Sequence, residues 1–287
     1  MSIDSIRTVA VLGAGTMGNG IAHVFARAGY KVLLRDVEQR FLDRAVDTIA
    51  QNLDREIKKG KLESAEKANV LGRVLPVTDM STLANADFVV EAVPEKIELK
   101  RHVLTEADHL VRDDVIIASN TSSIAITTLA AMTKRPERFV GMHFMNPVPV
   151  MVLVEVIRAL QTSDTTFTTT MQLAERLGKK PVAVNDAPGF VSNRVLMPLI
   201  NEAAYCVMEG VATAEAVDAV MKTGMNHPMG PLELADFIGL DVCVDIMQVL
   251  LEGLGDPKYR ACPLLKKYVA AGWLGRKSHR GFYNYNT

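Results

Sequence analysis

Short apolar runs rich in β-branched residues alternate with amphipathic segments through the N-terminal part of the chain. Segments between these runs, such as residues 96–111 and 165–177, carry apolar side chains at helical spacing. Such alternation indicates βαβ units, with a mainly parallel sheet and helices on both of its faces. The runs that predict strands are residues 8–12, 31–36, 87–93, 115–119, 139–144, 152–157 and 181–185.

The pattern becomes helical after Pro188. Apolar residues from Val191 onward fall on one broad face of a long helix, and Pro198 inside it should produce a kink. Thr213 is a typical N-cap and predicts a helix over residues 214–222, and further helices are predicted over residues 232–251 and 264–271. We therefore expect two domains, one at residues 1–185 that contains the sheet and a smaller all-helical one at residues 186–287.

Composition narrows the class of protein. The chain has 287 residues, of which 48% are hydrophobic, and its net charge of -1 argues against a nucleic-acid-binding protein. No apolar stretch approaches the roughly 18 residues that span a membrane, and no secretory signal precedes the first strand, so a cytoplasmic location is expected. The cysteines lack the spacing of metal ligands, and no metal site is predicted. They are Cys206, Cys243 and Cys262.

A glycine-rich loop follows the first predicted strand and opens the first predicted helix. Gly13 permits a tight turn, Gly15 lets the backbone approach a pyrophosphate, and Gly18 lets the helix pack closely on the strand. The helix N-terminus then offers unpaired N–H groups to phosphates. The sequence therefore predicts an α/β fold with a Rossmann-like, doubly wound sheet domain that binds a dinucleotide. The loop reads Gly13-Ala14-Gly15-Thr16-Met17-Gly18.

The end of the second predicted strand favours NAD over NADP. Asp36 lies about 20 residues after the loop, where a carboxylate accepts hydrogen bonds from both ribose hydroxyls and repels a 2′-phosphate. Arg35 beside it leaves NADP possible, because an arginine there can contact a 2′-phosphate.

Four polar residues are candidates for oxidation of an alcohol, which needs a base, a group that holds the base, and donors for the substrate oxygens. Ser122 and His143 follow or end apolar strands, Glu155 lies among valines in the next strand, and Asn193 opens the helical domain. A buried carboxylate requires a partner, and His143 could supply it. The alternatives are a hydrogen-bonded core histidine and helix caps at Ser122 and Asn193.

The same residues lie in motifs that resemble the L-3-hydroxyacyl-CoA dehydrogenase family, and within it the bacterial 3-hydroxybutyryl-CoA dehydrogenases. The resemblance covers nearly the whole chain, from Gly13 to the closing residues 275–283. It implies an enzyme that interconverts short-chain (S)-3-hydroxyacyl-CoA and 3-oxoacyl-CoA with a nicotinamide cofactor, and a homodimer formed through the C-terminal domain. The matching motifs are residues 119–123, 143–149, 188–193 and 226–231.

The resemblance also implies a role for individual residues. His143 is the expected general base, Glu155 orients it, and Ser122 and Asn193 position the reacting oxygens of the substrate. The other residues expected to contact or line the cofactor, beside the glycine loop, Asp36 and Ser122, are Glu95, Lys100, Asn146 and Lys277.

Residues 38–73 form an insertion that reads as a helical hairpin broken at residues 59–61. In the family a projection of this kind helps to hold CoA, which implies that Lys58, Lys59 and Lys61 contact its phosphates. A solvated basic turn is the equally weighted alternative, since runs of charge are usually exposed.

Two further functions remain open from the sequence. A related dehydrogenase that acts on a free hydroxy acid or sugar acid would use the same base and cofactor loop without a CoA site. A catalytically silent NAD-binding protein would share the fold, although the presence of both His143 and Glu155 argues against it.

Overall fold

A computed structural model describes residues 3–286, and these residues form two compact units, 3–187 and 188–286. The first unit is an α/β unit built around one sheet, and the second is helical. This arrangement confirms the predicted fold class.

The sheet of the first unit has eight strands in the order β3-β2-β1-β4-β5-β6-β7-β8. All neighbouring strands run parallel except β6 and β7, which pair antiparallel. The inner strands are buried along their length because helices cover both faces, which explains their continuous apolar runs. The strands are β1 (Thr8–Leu12), β2 (Lys31–Arg35), β3 (Val74–Val77), β4 (Phe88–Glu91), β5 (Ile116–Ser119), β6 (Phe139–Phe144), β7 (Leu153–Arg158) and β8 (Lys180–Asn185).

Strand β3 has no counterpart in the sequence prediction. Its four residues include Pro76, which cannot donate to a β ladder and therefore weakens the sequence signal of a strand. The position of β3 at the edge of the sheet tolerates the proline. The other seven strands are confirmed, with ends that differ from the predicted ones by no more than a few residues.

Six α-helices complete the first unit within its described residues. Helix α2 buries Leu42, Ala45, Ile49 and Leu53, which recur at helical spacing along one face. Helices α2 and α3 form the predicted hairpin, with the lysine-rich turn between them. The helices are α1 (Thr16–Arg27), α2 (Gln39–Lys58), α3 (Glu66–Arg73), α4 (Ile97–Leu110), α5 (Ile126–Ala130) and α6 (Asp164–Arg176).

The second unit packs its helices around an apolar core of its own. Thr213 caps α8 as predicted, since its side chain accepts a hydrogen bond from the N–H of Ala216. The prediction of one helix over residues 232–251 is wrong, because Gly239, with φ at 108°, separates two helices. The helices are α7 (Ser192–Met208), α8 (Ala214–Gly224), α9 (Pro231–Ile238), α10 (Leu240–Leu254) and α11 (Pro263–Ala270).

Two buried aspartates hold the C-terminal segment of the second unit. Asp236 accepts hydrogen bonds from the N–H groups of Phe282 and Tyr283, each at 3.0 Å, and Asp218 accepts one from the Tyr283 hydroxyl at 2.7 Å. Burial raises the pKa of Asp236, although the hydrogen bonds oppose that shift. Gly281 is required here, since a Cβ at this position would overlap the Asp236 carboxylate. Sequence reasoning did not identify this role for the closing motif.

Among residues 3–286, no helix has both the length and the apolar character needed to cross a membrane.

Candidate active site

The candidate residues of the first unit gather at one edge of the sheet. Strands β1, β4, β5 and β6 run parallel, so their carboxyl ends lie along the same edge. The glycine loop follows β1, Glu95 comes shortly after β4, Ser122 follows β5, and His143 is near the end of β6.

The glycines of the loop have different requirements. Gly13 has φ at 100°, and a Cβ there would lie 2.7 Å from the Ala92 carbonyl oxygen. A Cβ at Gly18 would overlap the carbonyl oxygen of Gly13, so the packing of α1 against the loop after β1 requires Gly18, while the turn and the approach of Ala92 require Gly13.

The packing of the protein itself would allow a side chain at position 15. Gly15 is the N-cap of α1, with φ at −66° and no side-chain cap, and a Cβ there would meet no other atom within 4 Å. A glycine at this position therefore leaves space for a ligand that approaches the N–H groups at the start of α1, as a dinucleotide pyrophosphate does.

Asp36 joins the end of β2 to this loop. Its Oδ2 accepts a hydrogen bond from the N–H of Ala14, and its Oδ1 accepts one from the N–H of Val37, each at 2.7 Å. The carboxylate is thereby fixed beside the glycine loop, where it suits the ribose hydroxyls of NAD.

His143 and Glu155 are brought together by the antiparallel pairing of β6 and β7. The two residues are direct partners in the register, so their side chains lie on the same face of the sheet. His143 Nδ1 is 2.8 Å from Glu155 Oε2, and the residues are 7% and 2% exposed. A carboxylate that accepts from Nδ1–H leaves the basic lone pair of a neutral imidazole on Nε2. The His143–Glu155 pair suggested by the sequence is therefore present in the structure.

Asn120 connects the segment of Ser122 to the strand of His143. Its Oδ1 accepts a hydrogen bond from the N–H of Phe144 at 2.9 Å, and its own N–H donates to the Glu91 carbonyl oxygen at 2.8 Å. Through its side chain and its backbone N–H, Asn120 thus ties together the ends of β4, β5 and β6. The sequence analysis quoted Asn120 only as part of a motif, and its place directly after a buried strand was the available signal.

Glu95 organises the backbone around Ser122. Its Oε1 accepts hydrogen bonds from the N–H groups of Ser122 and Ser123, each at 3.2 Å, and from the hydroxyls of Thr121 and Ser123. Burial alone would raise the pKa of Glu95, but the charge of Lys100 and these hydrogen bonds outweigh it and hold that pKa below its ordinary value. Ser122 lies in a loop, because α5 begins later and has Ala125 as its N-cap.

The side chain of Lys100 is buried and is not exposed at this edge of the sheet. Its side chain is 1% exposed, and its Nζ lies 2.7 Å from Glu91 Oε1 and 3.1 Å from Glu95 Oε2. Glu91, which sequence reasoning missed, also accepts hydrogen bonds from the Ser119 hydroxyl and the N–H of Val93. Its only signal in the sequence was a glutamate at the end of an apolar strand.

Of the remaining predicted residues, Asn146 lies in the first unit, and Asn193 and Lys277 lie in the second. Asn146 is exposed after β6, in a cis peptide bond with Pro147. Asn193 is the second residue of α7, whose N-cap is Val191, so it is not that helix's cap. Lys277 Nζ lies 2.6 Å from Asp241 Oδ2.

The lysines of the hairpin are exposed. Lys58 ends α2, and Lys59 and Lys61 flank Gly60 in the turn. Arg27 of α1 donates to the Lys61 carbonyl oxygen at 2.6 Å, which fixes the turn against α1.

Family models match almost the whole chain. The model described as 3-hydroxyacyl-CoA dehydrogenase, NAD binding domain, matches residues 8–187, and the model of the C-terminal domain of the same enzyme matches residues 189–285. The chain belongs to the 3-hydroxyacyl-CoA dehydrogenase family. As a member of this family it is an oxidoreductase with an NAD-binding domain.

Individual members of the 3-hydroxyacyl-CoA dehydrogenase family are similar over their full lengths. The 3-hydroxybutyryl-CoA dehydrogenase of Bradyrhizobium diazoefficiens is 54% identical, over 98% of this chain and 96% of that protein. The enzyme of the same name from Clostridioides difficile is 48% identical, over 97% of this chain and 99% of that protein. The crystal structure of (S)-3-hydroxybutyryl-CoA dehydrogenase from Ralstonia eutropha superposes with a TM-score of 0.96 at 52% identity and covers 99% of this chain and 100% of that one.

Within residues 3–286 of this family member, no group of three or more histidine, cysteine, aspartate or glutamate side chains is arranged to hold a metal ion.

Substitution of Gly15 and Gly18 by alanine should separate binding of the cofactor from folding. We expect Gly15→Ala to keep the thermal stability of the protein and to weaken NADH binding about tenfold or more, because its methyl group would face the pyrophosphate. Gly18→Ala should instead lower the free energy of unfolding by about 2 kcal/mol, because the new methyl group would overlap the carbonyl oxygen of Gly13. Thermal unfolding and a fluorescence titration with NADH measure the two effects. Unchanged NADH affinity in Gly15→Ala would show that the loop does not hold the dinucleotide.

Proposed function

We propose that this protein interconverts a short-chain (S)-3-hydroxyacyl-CoA and the corresponding 3-oxoacyl-CoA, with NAD as the cofactor. The observation that carries the proposal is the buried His143–Glu155 pair at the edge of the sheet that also bears the glycine loop. The names of the similar proteins support 3-hydroxybutyryl-CoA and acetoacetyl-CoA as the substrate pair.

In this reaction His143 acts as the general base. Its Nε2 takes the proton of the 3-hydroxyl group as the bond between C3 and hydrogen breaks, and it returns the proton in the reverse direction. Glu155, 2.8 Å from Nδ1, stabilises the imidazolium that results and holds the ring in one orientation. NAD, when bound, supplies the acceptor for the hydride that leaves C3.

The residues that would hold the dinucleotide have hydrogen-bonding groups that complement its pyrophosphate and its ribose. The N–H groups at the start of α1, from Gly15 through Thr16 and Met17, suit the pyrophosphate, and the fixed carboxylate of Asp36 suits the ribose hydroxyls. That carboxylate would repel a 2′-phosphate, which favours NAD over NADP.

We also propose that Ser122, Asn146 and Lys277 contact the nicotinamide half of the cofactor, and that Ser122 and Asn193 position the substrate oxygens. The resemblance to the family supports these roles. The loop that presents Ser122 adds support, because Glu95 fixes its backbone at the edge where His143 lies.

The hairpin lysines Lys58, Lys59 and Lys61 are proposed to contact the phosphates of CoA. Their exposure and the anchoring of the turn by Arg27 support this role, because a fixed turn presents its charges without further ordering.

The second unit is proposed to form a homodimer, and the protein to act in the cytoplasm. Apolar side chains exposed on this unit support the association, because apolar area gains free energy when it leaves water. Those most exposed are Val195, Val211, Val220 and Met225.

An assay of substrates and cofactors tests the proposed function. We expect the protein to reduce acetoacetyl-CoA with NADH, at least about tenfold more efficiently than with NADPH, and to leave free acetoacetate unreacted. The decrease in NADH absorbance measures turnover. Turnover of free hydroxy acids without turnover of the thioesters would indicate a dehydrogenase for free acids. Binding of NADH without turnover of any substrate would indicate a silent binding protein.

Replacement of Glu155 tests the catalytic pair. Glu155→Gln should lower kcat about 100-fold or more while the KM for acetoacetyl-CoA changes little. The reason is that the negative charge of Glu155 stabilises a positive charge that develops on His143 only during proton transfer, so its loss affects the reaction step more than substrate binding. Glu175→Gln, on the exposed side of α6, removes the same charge from the same unit and serves as a control. Near-normal turnover in Glu155→Gln would contradict the paired roles.

Replacement of the hairpin lysines tests the site for CoA. With Lys58, Lys59 and Lys61 all changed to alanine, the KM for acetoacetyl-CoA should rise about tenfold and kcat should stay nearly unchanged, since these contacts are equal in the ground and transition states. The KM for NADH, measured in the same assay, is the internal control. An unchanged KM for the thioester would mean that the lysines form an ordinary solvated turn.

A further inference from the structure

The loop at residues 145–152 joins β6 to β7, the two strands of the proposed catalytic pair. It carries Asn146, which is proposed to contact the nicotinamide half of the cofactor. Within the loop, the N–H groups of Val150 and Met151 both donate to the carbonyl oxygen of Pro147, each at 3.0 Å. These bonds close a turn, but they do not fix the loop against the rest of the first unit.

Lys179 holds this loop from outside. Its Nζ donates to the carbonyl oxygen of Val148 at 2.5 Å and to that of Met151 at 2.8 Å. A carbonyl oxygen that is partly removed from water needs a donor, and Lys179 supplies one to two acceptors of the loop at once. The ammonium group therefore bridges the turn.

The backbone on both sides of Lys179 is fixed as well. Helix α6 ends just before it at Gly178, with φ at 71°, and the N–H of Lys179 donates to the Ala174 carbonyl oxygen at 3.0 Å. The N–H of Lys180 donates to the Val152 carbonyl oxygen at 2.7 Å, where the pairing of β7 with β8 begins. The lysine is thus presented from a rigid support.

The side chain of Lys179 is half-buried rather than solvated. Burial lowers its pKa, and the charge of Glu56 on α2 opposes that shift. Removing an ammonium group from water costs free energy, which its bonds to the loop carbonyls offset. Lys179 therefore differs from the exposed lysines of the same unit, whose charge stays in water.

The loop also packs directly on α1. Val148 is 2% exposed, and a Cβ at Gly20 would lie 2.8 Å from the Cβ of Val148. The loop therefore rests on the bare backbone of α1, two residues after Gly18 of the glycine loop. Because α1 begins at the proposed pyrophosphate site, this contact relates the position of Asn146 to the part of the protein that would hold the phosphates.

We propose that Lys179 is a positioning residue: it holds the loop at residues 145–152 on α1, so that Asn146 meets the nicotinamide of a dinucleotide whose pyrophosphate lies at the start of that helix. This inference rests on the proposed function, in which Asn146 contacts the nicotinamide. Lys179 itself contacts neither the cofactor nor the substrate in this proposal.

A positioning role and a purely structural role differ in the part of the cofactor that they affect. ADP-ribose contains the pyrophosphate and both riboses of NAD but lacks the nicotinamide. A displaced Asn146 weakens binding of NADH and leaves binding of ADP-ribose unchanged, because only NADH carries the group that Asn146 contacts. A general loosening of the first unit weakens binding of both ligands.

Lys179→Met compared with Lys180→Met tests the proposal, since Lys180 is the adjacent, exposed lysine. In cofactor-free Lys179→Met, hydrogen exchange at the amides of Val150 and Met151 should become about tenfold faster. The Kd for NADH should rise about tenfold, while the Kd for ADP-ribose should stay within about twofold of the parent value. Lys180→Met should change none of these quantities. Calorimetric titrations measure both dissociation constants.

A double-mutant cycle asks whether Lys179 acts through Asn146. In protein that already carries Asn146→Ala, the change Lys179→Met should weaken NADH binding no further, because the contact that it positions is gone. Additive losses in the two variants would contradict the proposal. Equal weakening of NADH and ADP-ribose by Lys179→Met, or unchanged exchange in the loop, would overturn it.

If Lys179→Met fails to fold, Gly20→Ala provides a second variant, because its methyl group would displace Val148 from the side of α1. It should weaken NADH binding and spare ADP-ribose, and equal effects on both ligands would count against the proposal. Gly72→Ala in α3 is its control, since a Cβ there meets no atom within 4 Å. Exchange and binding do not require turnover. A parent protein inactive on thioesters would therefore refute the proposed function, while these measurements still decide the role of Lys179.

Discussion

The burial of two carboxylates at the edge of the sheet where β4, β5 and β6 end is the constraint on which the rest of the site depends. Glu91 and Glu155 are almost fully excluded from water, so each needs a donor that stays in place. His143 supplies the donor for Glu155, and Lys100 with Ser119 supplies those for Glu91. Because these donors come from neighbouring strands and from the helix after β4, satisfying the carboxylates also fixes the edge of the sheet.

The His143–Glu155 pair and the Lys100–Glu91 pair have different chemical consequences. An imidazole held by a carboxylate can exchange a proton through its other nitrogen, which suits oxidation of an alcohol. Lys100 instead lies between two carboxylates, with its Nζ 2.7 Å from Glu91 Oε1 and 3.1 Å from Glu95 Oε2. His143 and Glu91 lie at the same edge of the sheet, and Asn120 links their strands.

Much of the fold could be predicted from the sequence because its signals are local. The inner strands β4, β5 and β6 are buried on both faces and read as continuous apolar runs, and Thr213 caps its helix as its position suggests. Two local signals misled the prediction. Pro76 concealed the edge strand β3, and Gly239 interrupts a segment whose apolar pattern continues across the break. In both places the surrounding structure decides whether one residue interrupts an element.

The sequence by itself determined the types of residue available for chemistry and the order of the elements that carry them, because periodicity, capping and glycine sterics act over a few positions. Only the tertiary structure decided which charges are partners. His143 and Glu155 meet through antiparallel register, whereas Lys100 turns inward to Glu91 and Glu95. The tertiary structure also showed that neighbouring atoms leave no room for a side chain at Gly13 and Gly18, whereas Gly15 has no such neighbours. The physical reason is that such contacts depend on register and packing between distant segments, which local patterns do not encode.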